Sequence, residues 1–426
     1  MNGKILKYHR LKQRKKQDEV CKGICSVSYY SKIENDQIDV SQDLMEQLMS
    51  RLEIHETGKS VHDENQLKSL IHQFNELVID REVQKADNLS FQLHDQLQYS
   101  QNPHLLVFYE IVLARLNFLK NEFASAEVLI EKNEVFVKEI EESELRFHFL
   151  KMKSVYVYFN QDFQQSLKYL RQADEIRMTL HLPHKDVVDL YYMLGLTAYR
   201  VNDINLSMFY VNEAVKVYDS HYDYHRSGDC RLLLGLCYKG LKKYSEAEKQ
   251  YDLAMKLAKN IQQVHLESKV MQAKGELYAA MDRSLEAIHL FQMSYRLRQG
   301  TKRLICVHSI LEEFYKLGLY SELTSWIEHG FETLKENEKK SGNFLIMQYY
   351  YHFMFYKHIA SQSDSDELEK VLKDEIVPFF DENFRDEYIY KYGRFLAEVY
   401  ERKQHYRKSV GFYKKAMRAL ERLNHD

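Results

Sequence analysis

The chain has 426 residues, 45% of them hydrophobic and 29% charged, with only 3 prolines and 14 glycines. Such a length exceeds one ordinary core and such apolar content excludes a disordered chain, so several domains or a repeat array are expected. Scarce Gly and Pro beside abundant Leu, Lys, Glu, Ala, Gln and Met favour an all-α fold. The net charge of −3 hides an asymmetry, because the first 16 residues carry seven of the 60 basic side chains and none of the 63 acidic ones. The remaining 410 residues then hold 53 bases against 63 acids, a net of −10. A basic head on an acidic body points to a polyanion at one end, nucleic acid first, and to something else at the other.

In chain order, "ILKYHRLK" returns Ile5 or Leu6, His9 and Leu11 at helical intervals. A second helix begins near Gln17 and runs through Val20 and Cys21 towards Ile24; Gly23 to Ser26 break it, and Ser26 stands where a hydroxyl caps a third helix ending near Asn35. On that third helix Tyr30 and Ile33 face a small core, which leaves Val27, Ser28, Tyr29, Ser31 and Lys32 outside. Short hydroxyl side chains and a lysine suit a helix lying in a DNA major groove, and the helix start suits a phosphate oxygen. A fourth helix, "SQDLMEQLMSRL", is capped by Ser41 and closes the core with Leu44, Leu48 and Leu52. Cys21 and Cys25 read as small core residues, since nothing nearby completes a metal site.

"SYYSKIEN", Ser28 to Asn35, together with Gln17 resembles the helix-turn-helix of the xenobiotic-response-element (Cro/repressor) class. The resemblance implies that Gln17 and Asn35 brace backbone phosphates and that the start of the third helix, Ser26 to Lys32, reads bases. The basic cluster Arg14, Lys15 and Lys16 takes the place of the class's usual Gly and apolar residue before Gln17, and adds phosphate contacts. The expected DNA-binding set is Arg14, Lys15, Lys16, Gln17, Ser26, Val27, Ser28, Tyr29, Ser31, Lys32 and Asn35. This domain is expected to span residues 1–60, followed by a linker at 61–66 within the polar stretch 55–66.

Beyond the linker, small residues recur at Ala86, Ala126, Ser166, Ser207, Ala247 and Ala287, spaced 40, 40, 41, 40 and 40. That is a solenoid. Gly195, Gly235 and Gly275 each lie twelve residues before one of these, as close helix approach requires. Leu234, Gly235, Tyr238, Tyr244, Ala247, Tyr251 and Ala254 resemble the tetratricopeptide repeat, as do Gly275, Tyr278, Ala287 and Phe291, and near the end Ala397, Tyr400, Tyr406, Ser409, Tyr413 and Ala416. With weaker copies around Leu323 and Leu368, the resemblance implies a right-handed superhelix of about nine helix pairs over residues 67–426, each about six residues longer than the usual 34. Most of the 32 tyrosines then pack between helices, and "NFLIMQYYYHFMFYKH" and the Trp326 helix read as core.

Such repeats present the first helix of each pair to an extended peptide. On those helices the repeat pattern places Arg115, Lys151, Asp189, Tyr192, Arg200, Asp229, Gln272, Glu276, His308, Glu312 and Lys357 on the inner side, the expected peptide-binding set. Nucleotide, zinc-protease and hydrolase motifs are absent, and His221 and His225 in "HYDYH" lack a third ligand, so no enzyme, cofactor or metal is expected. Unpaired cysteine spacing, the absence of an apolar opening segment and the lack of a long apolar run predict a cytoplasmic location.

Head and repeats together resemble the RRNPP family of Gram-positive bacteria across the whole chain. The resemblance implies a receptor for a re-imported signalling peptide that switches a DNA-binding homodimer, with a tetramer as the alternative assembly. Relatives commonly grip the peptide backbone with inner-face asparagines; here Gln272 stands in the central repeats and Asn75 lies far upstream. The alternative reading makes the repeats a binder of a response regulator within a phosphorelay, with a glutamine among residues 66–100 orienting a hydrolytic water.

Overall fold

The computed structural model describes residues 3–54, 64–97, 102–139, 142–336, 344–361 and 365–425, and every regular element among them is helical. Of the expected linker 61–66, residues 61–63 lie outside the described residues, and Glu64 to Gln66 already open a helix. By compactness the chain divides into two units, 1–222 and 223–426, so the head belongs with the first repeats rather than standing alone.

The first unit opens with α1 (Gly3–Lys12), α2 (Gln17–Cys21), α3 (Val27–Glu34) and α4 (Gln42–Arg51). The second helix is shorter than its sequence suggested, ending at Cys21 instead of approaching Ile24. Gly23 adopts φ 77° in the turn that follows, a conformation open to glycine at little cost. Ile5, Leu6, Val20, Cys21, Tyr30, Ile33, Met45, Leu48, Met49 and Leu52 form the head's core, with Leu44 and Cys25 packed partly against it. Four helix pairs follow: α5 (Glu64–Ile79) with α6 (Val83–Leu97), α7 (Pro103–Lys120) with α8 (Phe123–Glu139), α9 (Ser143–Phe159) with α10 (Phe163–Arg177), and α11 (His184–Arg200) with α12 (Ile204–Ser220).

The second unit pairs α13 (Tyr224–Gly240) with α14 (Tyr244–Asn260), α15 (Val264–Ala280) with α16 (Ser284–Leu297), and α17 (Leu304–Leu317) with α18 (Tyr320–Lys335). Next come α19 (Phe344–Ala360) against α20 (Ser365–Val371) and α21 (Val377–Glu382), which a π-helical turn at Leu372–Ile376 joins, and finally α22 (Asp386–Arg402) against α23 (Tyr406–His425). Nine pairs stand among the described residues.

The forty-residue register has a physical basis at three places in each pair. The small residues Ala86, Ala126, Ser166, Ser207, Ala247 and Ala287 are all essentially inaccessible to solvent, because a larger side chain there would hold the paired helix off. A Cβ on Gly195, Gly235 or Gly275 would collide with Val211, Tyr251 or Phe291, the residue sixteen places on in the partner helix. The turns within the first six pairs each carry a left-handed residue, and Arg81, Asn121, Gln161, Asn202, Lys242 and Asp282 keep the same spacing. The left-handed residue lets the next amide reach back five residues, as from Glu122 N–H to Asn117 O at 2.8 Å and from Lys243 N–H to Tyr238 O at 2.9 Å. Asp162 and Asp203 then cap the following helices by accepting from Gln165 and Leu206 N–H at 3.0 Å. Tyr251, Phe291 and Tyr400 are buried as the repeat pattern requires, whereas Tyr406 is 62% exposed.

Candidate functional site

In the head, Ser26 Oγ accepts from Tyr29 N–H at 3.2 Å and fixes the start of α3. Val27, Ser28, Tyr29 and Lys32 are exposed on one face and Ser31 is half-buried, while Tyr30 and Ile33 are buried, as the spacing predicted. Asn35 donates its side-chain amide to Ser31 O at 2.9 Å at the helix end. Gln17, at the start of α2, donates to Glu34 Oε2 at 2.7 Å, which fixes its amide beside the end of α3. Lys16 immediately precedes α2, and its N–H donates to Glu19 at 2.6 Å.

Two of the seven leading cations are turned inward, a correction to the charge count. Arg10 is 7% exposed and grips Glu34 with two hydrogen bonds, Nε to Oε1 at 2.6 Å and Nη2 to Oε2 at 3.0 Å. Burial opposes the Arg10 charge, but the hydrogen bonds and charge of Glu34 raise its pKa all the same. Lys7 points to α8, where its ammonium meets the Glu139 carboxylate at 3.6 Å and donates to the Glu139 carbonyl at 3.3 Å. Of the expected basic cluster, Arg14 and Lys16 are exposed, while the half-buried Lys15 donates to Arg51 O at 3.4 Å.

On the first helices of the first unit, three expected peptide contacts meet one another. Arg115 of α7 forks onto Asp189 of α11 at 2.6 and 2.7 Å, and Lys151 of α9 lies 2.9 Å from Asp189 and 3.2 Å from Asp186. Asn75 of α5 donates to Asp186 at 3.0 Å, and Lys185 of α11 reaches back to Asp80 of α5 at 2.6 Å, so the first and fourth pairs touch. Lys151, Asp186 and Asp189 are all at least 97% buried. Burial would raise the Asp186 carboxyl, yet the Lys151 charge and the Asn75 amide hold it below its ordinary range; burial also lowers His148 beside it to about 4. These groups are engaged with each other. Tyr192 is buried as well, and Arg200, at the end of α11, is exposed with its guanidinium 4.5 Å from the Phe163 ring centre.

The second unit arranges the rest differently. Asp229 of α13 lies 3.4 Å from Arg226 and 3.9 Å from Lys269. Gln272 of α15 donates to Ser309 Oγ at 2.9 Å, its carbonyl oxygen buried without a partner, and Glu276 pairs with Lys239 at 2.7 Å. His308 of α17 packs at a tilt against His352 of α19, ring centres 4.2 Å apart, and His352 shares a 2.5 Å hydrogen bond with Tyr392 of α22. Glu312 accepts from Lys391 at 2.6 Å, and Lys391 also donates to Tyr356 at 3.1 Å. Burial lowers His308 to about 4 and His352 further; it also opposes Glu312's charge, but His308 and Lys391 bring that carboxyl to about 2. Lys357 does not join them: it is exposed, 5.8 Å from the Phe331 ring centre.

Sequence reasoning missed Gln348, His352, Tyr388, Lys391 and Tyr392. A signal was present, because His352 and Tyr392 stand 40 and 80 residues after Glu312, and Gln348 and Tyr388 stand 40 and 80 after His308. Among the described residues no group of three or more His, Cys, Asp or Glu is placed to hold a metal, and no helix is long and apolar enough to cross a membrane.

Comparison with known proteins agrees with this layout. A helix-turn-helix family model matches residues 6–58 and a tetratricopeptide repeat model matches 229–261. The transcriptional activator NprA of Geobacillus stearothermophilus is 26% identical over 405 residues, 94% of this chain and 98% of its own. Among solved structures, the apo quorum sensor NprR from B. thuringiensis superposes with a TM-score of 0.71 at 15% identity, over 84% of this chain and 99% of that one. NprR in complex with its cognate peptide NprX gives 0.62 at 15% identity, over 85% and 100%. The chain is therefore similar along almost its full length to a transcriptional activator, and it sets a helix-turn-helix head before nine tetratricopeptide-like pairs among its described residues.

Proposed function

We propose that the chain is a peptide-responsive transcriptional regulator acting in the cytoplasm as a homodimer. Its head binds promoter DNA through α3, and its repeats bind a short signalling peptide along the first helices. The observation that carries this reading is the exposed, capped face of α3, where Val27, Ser28, Tyr29 and Lys32 project from a core that holds Tyr30 and Ile33. Short polar side chains on a helix start can meet base edges while Lys32, Arg14 and Lys16 meet phosphates. The relative named as a transcriptional activator, and the similar fold solved with a bound peptide, support the two halves of the proposal.

For the peptide, the second unit is the better host. Its first helices carry a buried, unpaired Gln272 oxygen and a half-exposed Glu312, whereas Arg115, Lys151 and Asp189 already satisfy one another. Binding energy that favours one arrangement of the repeats over another would re-space the two heads relative to half-sites a helical turn apart. The test is selection of duplexes from a random library at low salt, followed by gel shifts with and without synthetic peptides encoded by small reading frames beside the gene. Complexes weakened in Lys32→Ala and altered by one such peptide are the expected result. No complex under any of these conditions would overturn the proposal. If the Lys32→Ala chain instead keeps an effect on a phosphorylated response regulator, the phosphorelay reading takes its place.

A further inference from the structure

Helix α1 belongs to two cores at once. Its Ile5 and Leu6 are buried among head residues, while Tyr8 and Leu11, on the other side, are buried in the repeat core with Phe108 and Phe136. Tyr8 meets Phe136 of α8 edge-on, ring centres 5.4 Å apart. Burial, with Lys12 and Lys132 nearby, lowers His9 to about 4, so the α1 side of the seam stays uncharged there at neutral pH.

A polar chain runs through the same helix. Glu139 at the end of α8 is 3.6 Å from Lys7 and 3.9 Å from Arg10; Arg10 forks onto Glu34 at the end of α3, and Glu34 accepts from Gln17 at the start of α2. Beside the seam lies a cleft of about 670 Å³ between the end of α3 and α8, bordered by Lys4, Asn35, Gln37 and Glu139. The head thus touches the repeats chiefly along one helix, with open space beside it.

We infer that the seam of Tyr8, Lys7 and Arg10 against Phe136 and Glu139 is the positioning element that fixes the DNA-reading head on the repeats, and thereby sets which half-site spacing a dimer accepts. A head held rigidly presents α3 at one separation from its twin, whereas a head on a loose tether samples many and discriminates little. The inference rests on the DNA-binding reading above. The seam meets α3 at the buried Glu34, away from the exposed Val27, Ser28, Tyr29 and Lys32.

The test uses the full chain, wild type, Phe136→Ala and Glu139→Lys. Glu139 is 43% exposed, so its reversal should leave both cores folded while repelling Lys7 and Arg10. Hydrogen exchange should show α1 and residues 123–139 opening about tenfold faster while α2 to α4 stay protected, which separates undocking from unfolding. Duplexes selected by the wild type are then rebuilt as single half-sites and as pairs whose spacing changes by one base pair at a time. The wild type should discriminate among spacings by about tenfold or more, the variants by about threefold or less, with single half-site affinity within about twofold. Variants that undock yet keep the wild-type spacing profile, or that leave α1 exchange unchanged, overturn the inference. A wild type that selects no duplex overturns the DNA reading itself, and the inference with it; the exchange data still report whether the seam exists.

Discussion

The two units are built on one frame and differ in what they put on it. In the first, Arg115, Lys151, Asp186 and Asp189 close the first helices with buried ion pairs. In the second, the equivalent helices meet through rings, with His308 packed on His352, His352 hydrogen-bonded to Tyr392, and one half-exposed pair, Glu312 with Lys391. The left-handed turn residue and the buried small residue recur in both, as at Asn202 and Ser207 and at Lys242 and Ala247, so those features set the frame, and the inner side chains decide whether a face is closed by ion pairs or by rings. A buried ionic face is strongly destabilised by loss of one partner; a ring-lined face tolerates such a loss better but is sensitive to protonation.

The sharpest way to break this contrast is Asp189→Leu, which strands Arg115 and Lys151 in a buried site. We expect a loss of about 3–5 kcal/mol confined to the first unit, seen as faster exchange across α7, α9 and α11. Gly195→Ala and Gly235→Ala test the shared frame: each should cost about 1–3 kcal/mol in its own unit, since the added methyl meets Val211 or Tyr251. Similar losses in the two units would support one frame, and a tolerated Gly235→Ala would deny it.

Acid should reach the second unit through His308. Its folded pKa of about 4 lies below the ordinary 6.5, so the unfolded chain binds the proton first. The stabilisation is complete above about pH 6.5, fades as pH falls towards 4, and has lost about 2 kcal/mol by pH 5. The single tryptophan, Trp326, packs edge-on against Tyr295 in this unit, and its fluorescence during urea unfolding should follow that slope, flattened in His308→Gln. Glu312→Gln should cost less, about 1 kcal/mol, because Glu312 and Lys391 are each about a third exposed and Lys391 keeps Tyr356 as a partner. The smallest effect is expected outside the contrast: Lys32→Ala should weaken DNA binding and lower its logarithmic salt slope by about one, with folding unchanged.

Much of the frame was legible because its causes are local. Ser26 announces a capped helix, and a small residue every forty positions announces stacked pairs. The inner faces were less legible, since pairing depends on how far successive helices curl. Asp189 was expected on the inner side, but that Arg115, 74 residues earlier on α7, would neutralise it follows only from the approach of α7 to α11. On α19 the residues that meet the neighbouring first helices are Gln348, His352 and Tyr356, and Lys357, one step further, turns about 100° away from that row. Arg10 was read as free positive charge because its partner Glu34 lies 24 residues away on another helix.

The double membership of α1 bears on any attempt to study the repeats alone. Trimming away the first sixty residues would remove a reading head and also strip the cover from Phe136 and the neighbouring apolar side chains of α7 and α8. The fragment left behind would present a fresh greasy strip to water, so self-association on its part would describe the missing lid and not how the intact regulator assembles.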